Sequence, residues 1–351
     1  MKDKSVVRFI TYSDGRMASY RYRTTIPACG LERLGHDVKL GKVDDAAMPG
    51  VYIFSKHFNP GEEYPFAQKL KDPKFLAANI TSIVPEEHTA GNAIIFDICD
   101  NHFDSPSIGD YYRNMVELAD YVVAATPRMA EVIKDKCPGT DVTVIPDAYE
   151  FPERQPRFNW DQKEITNLMW FGHPTNIKHL QRVWNELAGF NIMIITENGV
   201  TLDVDGEVFP IQPWSIDTML WGFAQSHIVI IPNEGKKSCK GANRIIESIR
   251  QGVFVIAEPC PAYEEFKEWM YIGDIKEGLE WCKQHKEELQ DRVQKAQAYI
   301  REKYAPMKIV GQWHELILKA SKGRSIPKAQ SPKEIEKLSG EEAQKTVSSP
   351  G

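Results

Sequence analysis

The chain has 351 residues, 42% of them hydrophobic and 26% charged, with a net charge of −6. That length suits two domains of about 100–200 residues each, and the composition is globular. The mild negative charge argues against a general polyanion binder, and no apolar run approaches the roughly 18–20 residues of a membrane-spanning helix. Residues 5–12 are too short and too polar for the core of a secretory signal. The six cysteines (Cys29, Cys99, Cys137, Cys239, Cys260, Cys282) form no Cys-x-x-Cys pair. Neither a zinc cluster nor a disulfide framework is indicated, and reduced thiols in a cytoplasmic protein are expected.

In chain order, short apolar runs predict strands over residues 6–11, 38–40, 51–54, 93–98, 121–125 and 142–145. Helices are expected within 21–34, over 111–119, and over 127–136, the last opening on Pro127. Residues 146–164 hold Pro146, Pro152 and Pro156 with little periodicity and read as an interdomain linker. The pattern then repeats. Strands are predicted over 167–171, 191–196, 228–232 and 253–257, with helices over 177–187, 216–226, 241–251, 263–268 and 275–304. Strands alternating with helices imply parallel sheets with crossover helices. The expected domains are 1–150, a linker at 151–164, and 165–300, with a terminal helix over 301–320 packing back on the first domain. Residues 321–351 are rich in Lys, Ser, Pro, Glu and Gln and are expected to be disordered.

The densest chemistry lies where an apolar strand ends at Pro232 and a polar, basic loop leads into the helix predicted over 241–251. A helix start offers free N–H groups and partial positive charge, which suits phosphate. Lys237 and Lys240 add charge there. Arg244 lies four residues beyond Lys240 and Glu247 three beyond Arg244, so one helical face would carry all three. Cations followed by one carboxylate suit a nucleoside diphosphate: the cations hold the pyrophosphate and the carboxylate takes ribose hydroxyls. An ordinary ion-paired surface helix is the competing reading.

The run Lys240-Gly241-Ala-Asn-Arg244-Ile-Ile-Glu247, four residues, then Gly252-Val-Phe-Val255-Ile256-Ala257 resembles the GT-B fold glycosyltransferases, and among them the retaining enzymes of family 4. The resemblance implies an α/β fold of two Rossmann-like, doubly wound domains facing across a cleft. It implies a nucleotide-diphosphate sugar (UDP- or GDP-type) as donor, with no cofactor and no metal required. Lys240 and Arg244 would lie near the diphosphate, with Lys237, Ser238 and Asn243 beside them, and Glu247 would bind the ribose. Many relatives carry a sugar-holding glutamate eight residues before the ribose glutamate, where this chain has Cys239.

Four further segments are candidates. Gly172-His173, followed by Lys178, forms a strand–turn–helix junction that the resemblance places at the pyrophosphate. Trp214, ahead of the helix expected from 216, falls where relatives bind the base, although packing between domain elements is the favoured reading of it. In the first domain Gly15 and the run containing Tyr20, Arg21 and Arg23 follow the first strand, and Asp97, Asp100 and His102 lie at the carboxyl end of the 93–98 strand. Tyr20, Arg21, Arg23 and Asp97 are read as acceptor-side residues, and Asp100 or His102 as orienting an acceptor hydroxyl, with Lys240 and Arg244 stabilising the leaving group. His88 is a lesser candidate.

The expected reaction is transfer of a hexosyl or pentosyl group to an acceptor hydroxyl, with retention implied by the resemblance alone. The acceptor is a polysaccharide, a small metabolite or a hydroxymethylated base in DNA, for which Lys56, His57, Lys69, Lys71 and Lys74 would supply a basic surface. No protein partner is indicated. A nucleotide-sugar epimerase and a non-catalytic nucleotide-sugar-binding protein are the alternatives.

Overall fold

The structure, a computed structural model, describes residues 6–12, 15–43, 50–55, 59–72, 92–156, 165, 167–233 and 238–321. Residues 322–351, most of the expected tail, lie outside the described residues, as do 157–164 of the expected linker. The chain divides into two compact units. Unit 1 comprises Met1–Glu150, Cys239–Gly241 and Tyr304–Gly351; unit 2 comprises Phe151–Ser238 and Ala242–Lys303.

Unit 1 is built on a parallel sheet in the order β2-β1-β3-β4-β5-β6. Its strands are β1 (Val6–Ile10), β2 (Asp37–Gly41), β3 (Gly50–Phe54), β4 (Ala93–Ile98), β5 (Tyr121–Ala124) and β6 (Val142–Val144). β3 and β4 are buried along their whole length, as continuous apolar runs between two helical layers must be. One layer holds α3 (Pro60–Lys71), α4 (Gly109–Leu118) and α5 (Pro127–Lys136), whose apolar faces surround Phe54, Phe96 and Tyr112. Thr126 caps α5 by accepting from the Met129 N–H, and Pro127 occupies its first position.

The opposite layer holds α2 (Ile26–Arg33) and the C-terminal helix α11 (Pro306–Ala320). Met307, Ile309, Val310, Trp313, Leu316 and Ile317 of α11 are buried with Leu31, Phe9 and Ile53. Gly30 permits the close crossing of the two helices, since a Cβ there would stand 2.2 Å from the Val310 side chain. α2 follows α1 (Ala18–Tyr20) and a π-helical turn over Arg21–Thr25 that the sequence reading did not distinguish.

A buried imidazole pair joins α11 to the segment before β2: His36 Nε2 lies 2.8 Å from His314 Nδ1. Burial, and then the neighbouring His314, hold the His36 pKa down at about 4. Burial lowers His314 too, while Glu315 opposes that shift. An unfolded histidine titrates near 6.5. Between about 6.5 and 4 the unfolded chain therefore binds the extra proton, and stability falls as pH falls through that window. Glu63 acts in the opposite sense, because burial raises its pKa from 4.5 to about 7. Comparing wild type with His36→Phe cancels Glu63 and isolates the histidine. The stability difference should shift in favour of the variant by about 2 kcal/mol on going from pH 7 to pH 5. Urea unfolding at the two pH values measures it, and an unchanged difference would remove the pair as an acid-sensitive contact.

Unit 2 carries a parallel sheet in the order β11-β8-β7-β12-β13-β14. Its strands are β7 (Asn167–Phe171), β8 (Asn191–Thr196), β11 (Gln212–Pro213), β12 (Ile228–Ile231), β13 (Phe254–Ala257) and β14 (Tyr271–Ile272). Counted along the parallel strands this is the 3-2-1-4-5-6 order of a doubly wound sheet, and its direction of winding reverses between β7 and β12. Its helices are α6 (Ile177–Arg182), α7 (Ile216–Gln225), α8 (Asn243–Arg250), α9 (Ile275–Gln284) and α10 (Lys286–Lys303). Gly252 ends the turn after α8 at φ +79°, where a Cβ would also meet the Gln155 carbonyl at 2.8 Å.

Several expected elements are corrected. The helix expected over 177–187 stops at Arg182, and Trp184–Leu187 is a 3-10 turn whose Trp184 ring lies 4.3 Å from that of Phe209. The expected 275–304 helix breaks at His285, whose Nδ1 lies 2.8 Å from the Trp281 carbonyl and whose ring stacks on Trp281. Tyr263–Phe266 belongs to a 3-10 helix, Pro261–Phe266. The antiparallel hairpin β9 (Leu202–Val204) and β10 (Glu207–Phe209) was not expected, nor was α3. Phe151–Pro156 is not a loose connection. The Arg250 guanidinium donates to the Phe151 carbonyl and pairs with Glu153, and Gln251 donates to the Pro152 carbonyl.

Candidate functional site

In an open α/β sheet, ligands bind beyond the carboxyl ends of the strands where the winding reverses. In unit 2 that point lies beyond Phe171 of β7 and Ile231 of β12. The turn after β7 begins at Gly172, whose N–H donates to the Ile195 carbonyl and whose carbonyl accepts from the Thr196 hydroxyl at 2.7 Å. Arg244, in the first turn of α8, lays its guanidinium against this turn. Its Nη1 donates to the Phe171 carbonyl at 3.3 Å, and a Cβ on residue 172 would stand 3.4 Å from that nitrogen. A Cβ there would also stand 3.3 Å from the Trp170 ring, so a side chain would make a tight contact.

Arg244 is half-buried, yet no carboxylate pairs with it among the described residues. Its hydrogen-bond partner is the Phe171 carbonyl, which is neutral. Other arginines of this unit are neutralised: Arg250 by Glu153, and Arg182 by a two-pronged pair with Glu258. A partly desolvated cation held by a neutral acceptor keeps its charge for an anion. Glu247 lies one turn further along α8 and is 2% exposed.

The expectation that Lys240 shares a helical face with Arg244 is corrected. α8 begins at Asn243, after the irregular Cys239–Ala242 stretch containing Gly241, a poor helix former. Lys240 is exposed and precedes the helix, while Asn243 opens it and is half-buried. Ser238 is half-buried. Lys237 lies outside the described residues. Cys239 is buried in the apolar cluster of unit 1, where its carbonyl accepts from the Thr126 hydroxyl at 3.2 Å.

His173 accepts from the Thr175 N–H at the start of the 3-10 turn Pro174–Asn176, and its Nε2 lies 3.7 Å from Glu197, with the side chain 50% exposed. Lys178 is exposed in the first turn of α6. Trp214 follows β11, half-buried, with its N–H on the Thr196 carbonyl at 2.6 Å. Gly172, His173 and Trp214 therefore gather near the carboxyl ends of β7 and β8, through Thr196 and Glu197.

The sequence reading missed two residues here. Glu258, directly after β13, accepts from the Asn233 N–H at 2.8 Å as well as from Arg182, and so ties the end of β12 to β13. A carboxylate immediately beyond a buried strand was a usable signal for it. Thr196 belongs to no pattern that would have marked it.

In unit 1 the acceptor-side expectations change. Arg23 is 1% exposed. Its Nε and Nη2 donate to the two Asp97 carboxylate oxygens at 3.0 and 2.5 Å, and its Nη1 to Asp147 and the Ile145 carbonyl. Burial pushes the Asp97 carboxyl up and Arg23 pulls it back; the bidentate geometry favours the ionised pair. Arg21 is buried, pairing with Glu150 at 2.6 Å and donating to the carbonyls of Gly15 and Arg16. Both arginines and Asp97 thus tie elements of unit 1 together through buried ion pairs. Tyr20 stays half-exposed.

Asp100 and His102 are half-buried in the loop after β4, and the His102 ring meets Tyr112 edge-on at 5.4 Å. Of the lysines considered for a basic surface, Lys71 pairs with Asp120 and Lys69 is exposed. Lys56, His57, Lys74 and His88 lie outside the described residues.

Among the described residues no helix is long and apolar enough to cross a membrane, and no group of three or more His, Cys, Asp or Glu is placed to hold a metal. No protein-family model matches the sequence, and no curated protein matches it significantly. Solved structures do match the fold. The glycosyltransferase of Rickettsia africae ESF-5 is 13% identical over 91% of this chain and 99% of its own, with a TM-score of 0.58. Anabaena HepE in complex with UDP-glucose is 10% identical over 90% and 100%, at 0.59. An alpha-glucosyltransferase in complex with UDP-glucose and DNA containing an abasic site is 11% identical over 90% and 99%, at 0.55. At these identities the likeness is one of fold: the chain has two Rossmann-like units of the GT-B type.

Proposed function

We propose that this chain is a glycosyltransferase that moves a sugar from a UDP- or GDP-type donor to an acceptor hydroxyl with retention and without a metal. The observation that carries the reading is Arg244: a half-buried guanidinium at the point where the unit 2 sheet reverses its winding, hydrogen-bonded to the neutral Phe171 carbonyl and paired with no described carboxylate. That is the chemistry of a diphosphate site. Arg244 and Lys240 hold the diphosphate beside the Gly172 turn, with His173, Lys178, Lys237, Ser238 and Asn243 around it. Glu247 takes the ribose hydroxyls, and Trp214 lies on the side of the base.

The chemistry follows from charge. The bond between the sugar C1 and the phosphate oxygen breaks, and its electron pair stays on the diphosphate. The acceptor oxygen bonds to C1, and its proton passes to the departing phosphate. Arg244 and Lys240 stabilise the charge that builds on that leaving group. Such a reaction needs no pair of protein carboxylates of the kind a glycosidase uses. Asp100 and His102 orient the acceptor hydroxyl. The acceptor is a glycan, a small molecule or a hydroxymethylated base in DNA.

Incubation with UDP- and GDP-sugars and a panel of these acceptors tests the proposal. Released nucleoside diphosphate and a product heavier by one sugar residue are expected by mass spectrometry. A nucleotide sugar or free sugar of altered configuration, with no transfer product, would point to an epimerase, and binding without turnover to a binding protein. No binding of either nucleotide class would end the donor-site reading.

A further inference from the structure

We infer that Glu197 reads the base of the donor nucleotide and selects guanine, which makes a GDP-sugar the donor; this rests on the donor-site reading above. In a doubly wound sheet of 3-2-1-4-5-6 order, the carboxyl end of the second strand lies beside the nucleoside. β8 is that strand, and Glu197 directly follows its last residue, Thr196. The backbone before Glu197 is fixed on both sides. The Ile195 carbonyl accepts from the Gly172 N–H at 3.2 Å, and the Thr196 carbonyl from the Trp214 N–H at 2.6 Å. Thr196 is fully buried, and its hydroxyl donates to the Gly172 carbonyl at 2.7 Å. Because β8 lies between β7 and β11, Glu197 stands between the Gly172 turn, read as the phosphate side, and Trp214, read as the base side.

The Glu197 side chain is 56% exposed, and one carboxylate oxygen lies 3.7 Å from His173 Nε2. His173 is held in turn by Thr175, whose N–H donates to Nδ1 at 3.4 Å and whose hydroxyl lies 3.0 Å from the same nitrogen. Because Nδ1 accepts, the neutral ring carries its proton on Nε2, facing Glu197. That contact orients the carboxylate but is too long for a hydrogen bond, and no described residue donates one to Glu197. Both oxygens remain acceptors for a ligand. A group that only accepts selects a base edge that carries donors. Guanine presents two side by side, N1–H and an N2 amino hydrogen, which match the two oxygens of a carboxylate. Uracil presents one, N3–H, between two carbonyl oxygens that a carboxylate repels. Adenine and cytosine each set one amino donor beside a ring nitrogen that accepts.

Binding of GDP, inosine diphosphate and UDP to the full chain, measured by calorimetry for wild type, Glu197→Ala and Arg244→Ala, tests the inference. Inosine diphosphate lacks only the guanine amino group, so it keeps the purine rings and their stacking. Wild type should bind GDP about tenfold more tightly than inosine diphosphate, the scale of one hydrogen bond to a charged group, and UDP more weakly than either. In Glu197→Ala both purine nucleotides should weaken and their affinities should become equal, with thermal unfolding unchanged because the side chain is exposed. Arg244→Ala should weaken all three ligands alike and keep their ratios. Equal affinity of wild type for GDP and inosine diphosphate, or UDP as the tightest ligand, would overturn the assignment of guanine. An unchanged ratio of GDP to inosine diphosphate affinity in Glu197→Ala would also overturn it, because another group would then read the amino group. Those outcomes leave the donor site standing. Failure of all three nucleotides to bind wild type would remove the donor-site reading and this inference with it.

Discussion

Replacing Arg23 by alanine should lower the free energy of unfolding by about 3–5 kcal/mol, the usual cost of leaving a buried charge without its partner. The loss is expected at the upper end because two carboxylates depend on this one guanidinium. Asp97 receives both arms of the fork and Asp147 a third donor. The Ile145 carbonyl loses its donor as well, and the guanidinium also lies 5.4 Å from the centre of the Trp313 ring. Without Arg23, burial pushes the Asp97 carboxyl up unopposed, so the variant should recover part of its stability as pH falls and Asp97 is protonated. The Arg23→Ala/Asp97→Ala double variant should be more stable than Arg23→Ala alone, because it no longer buries an unpaired charge. Urea unfolding followed by tryptophan fluorescence measures all three. A loss below about 1 kcal/mol in Arg23→Ala would mean that water reaches the site and solvates the carboxylates.

Arg23 also shows where sequence reading stops. A cationic side chain near a helix start carries no mark of its destination. Here that depends on Asp97, 74 residues away, and on Asp147, 124 away. The central strands were legible because they are buried on both faces and so appear as unbroken apolar runs: β4 and β7 have the expected bounds, and so does β8, which is buried only over its last three residues. Helix α3 escaped because Pro60, Gly61 and Pro65 look like turn residues, although Pro60 fits the first turn. The β9–β10 hairpin had a readable signal that went unused. Asp205 and Gly206 occupy the two positive-φ positions, at 54° and 86°, that such a two-residue turn requires.

The candidate site divides in the same way. Gly172, Arg244 and Glu247 are readable because they sit at fixed offsets from strand ends and a helix start. Thr196 is not, since a threonine at the end of an apolar strand carries no mark of its partners. Lys240 falls between these cases. Its charge and its place near the loop are evident in the sequence, but the helical face it was expected to share requires Gly241 to be helical, and it is not.

Glu247→Ala should weaken nucleoside diphosphate binding by roughly 30- to 1,000-fold, equivalent to about 2–4 kcal/mol for two charge-assisted hydrogen bonds to ribose hydroxyls. Glu247→Gln keeps the shape and one acceptor and should lose less. The roles proposed along α8 predict different ligand dependences, which allows them to be separated. Inorganic pyrophosphate has the two phosphates and no ribose. Its affinity should fall in Arg244→Ala and stay unchanged in Glu247→Ala, whereas UDP should lose affinity in both. Competition between pyrophosphate and a fluorescent UDP analogue measures the first, and calorimetry the second. Because Glu247 is buried, circular dichroism and thermal unfolding must show that the alanine variant keeps its fold. A Glu247→Ala protein that is folded and loses pyrophosphate as strongly as UDP would move the carboxylate from the ribose to the phosphates' surroundings. There it would act by holding Arg244 or the helix start in place, without touching the sugar.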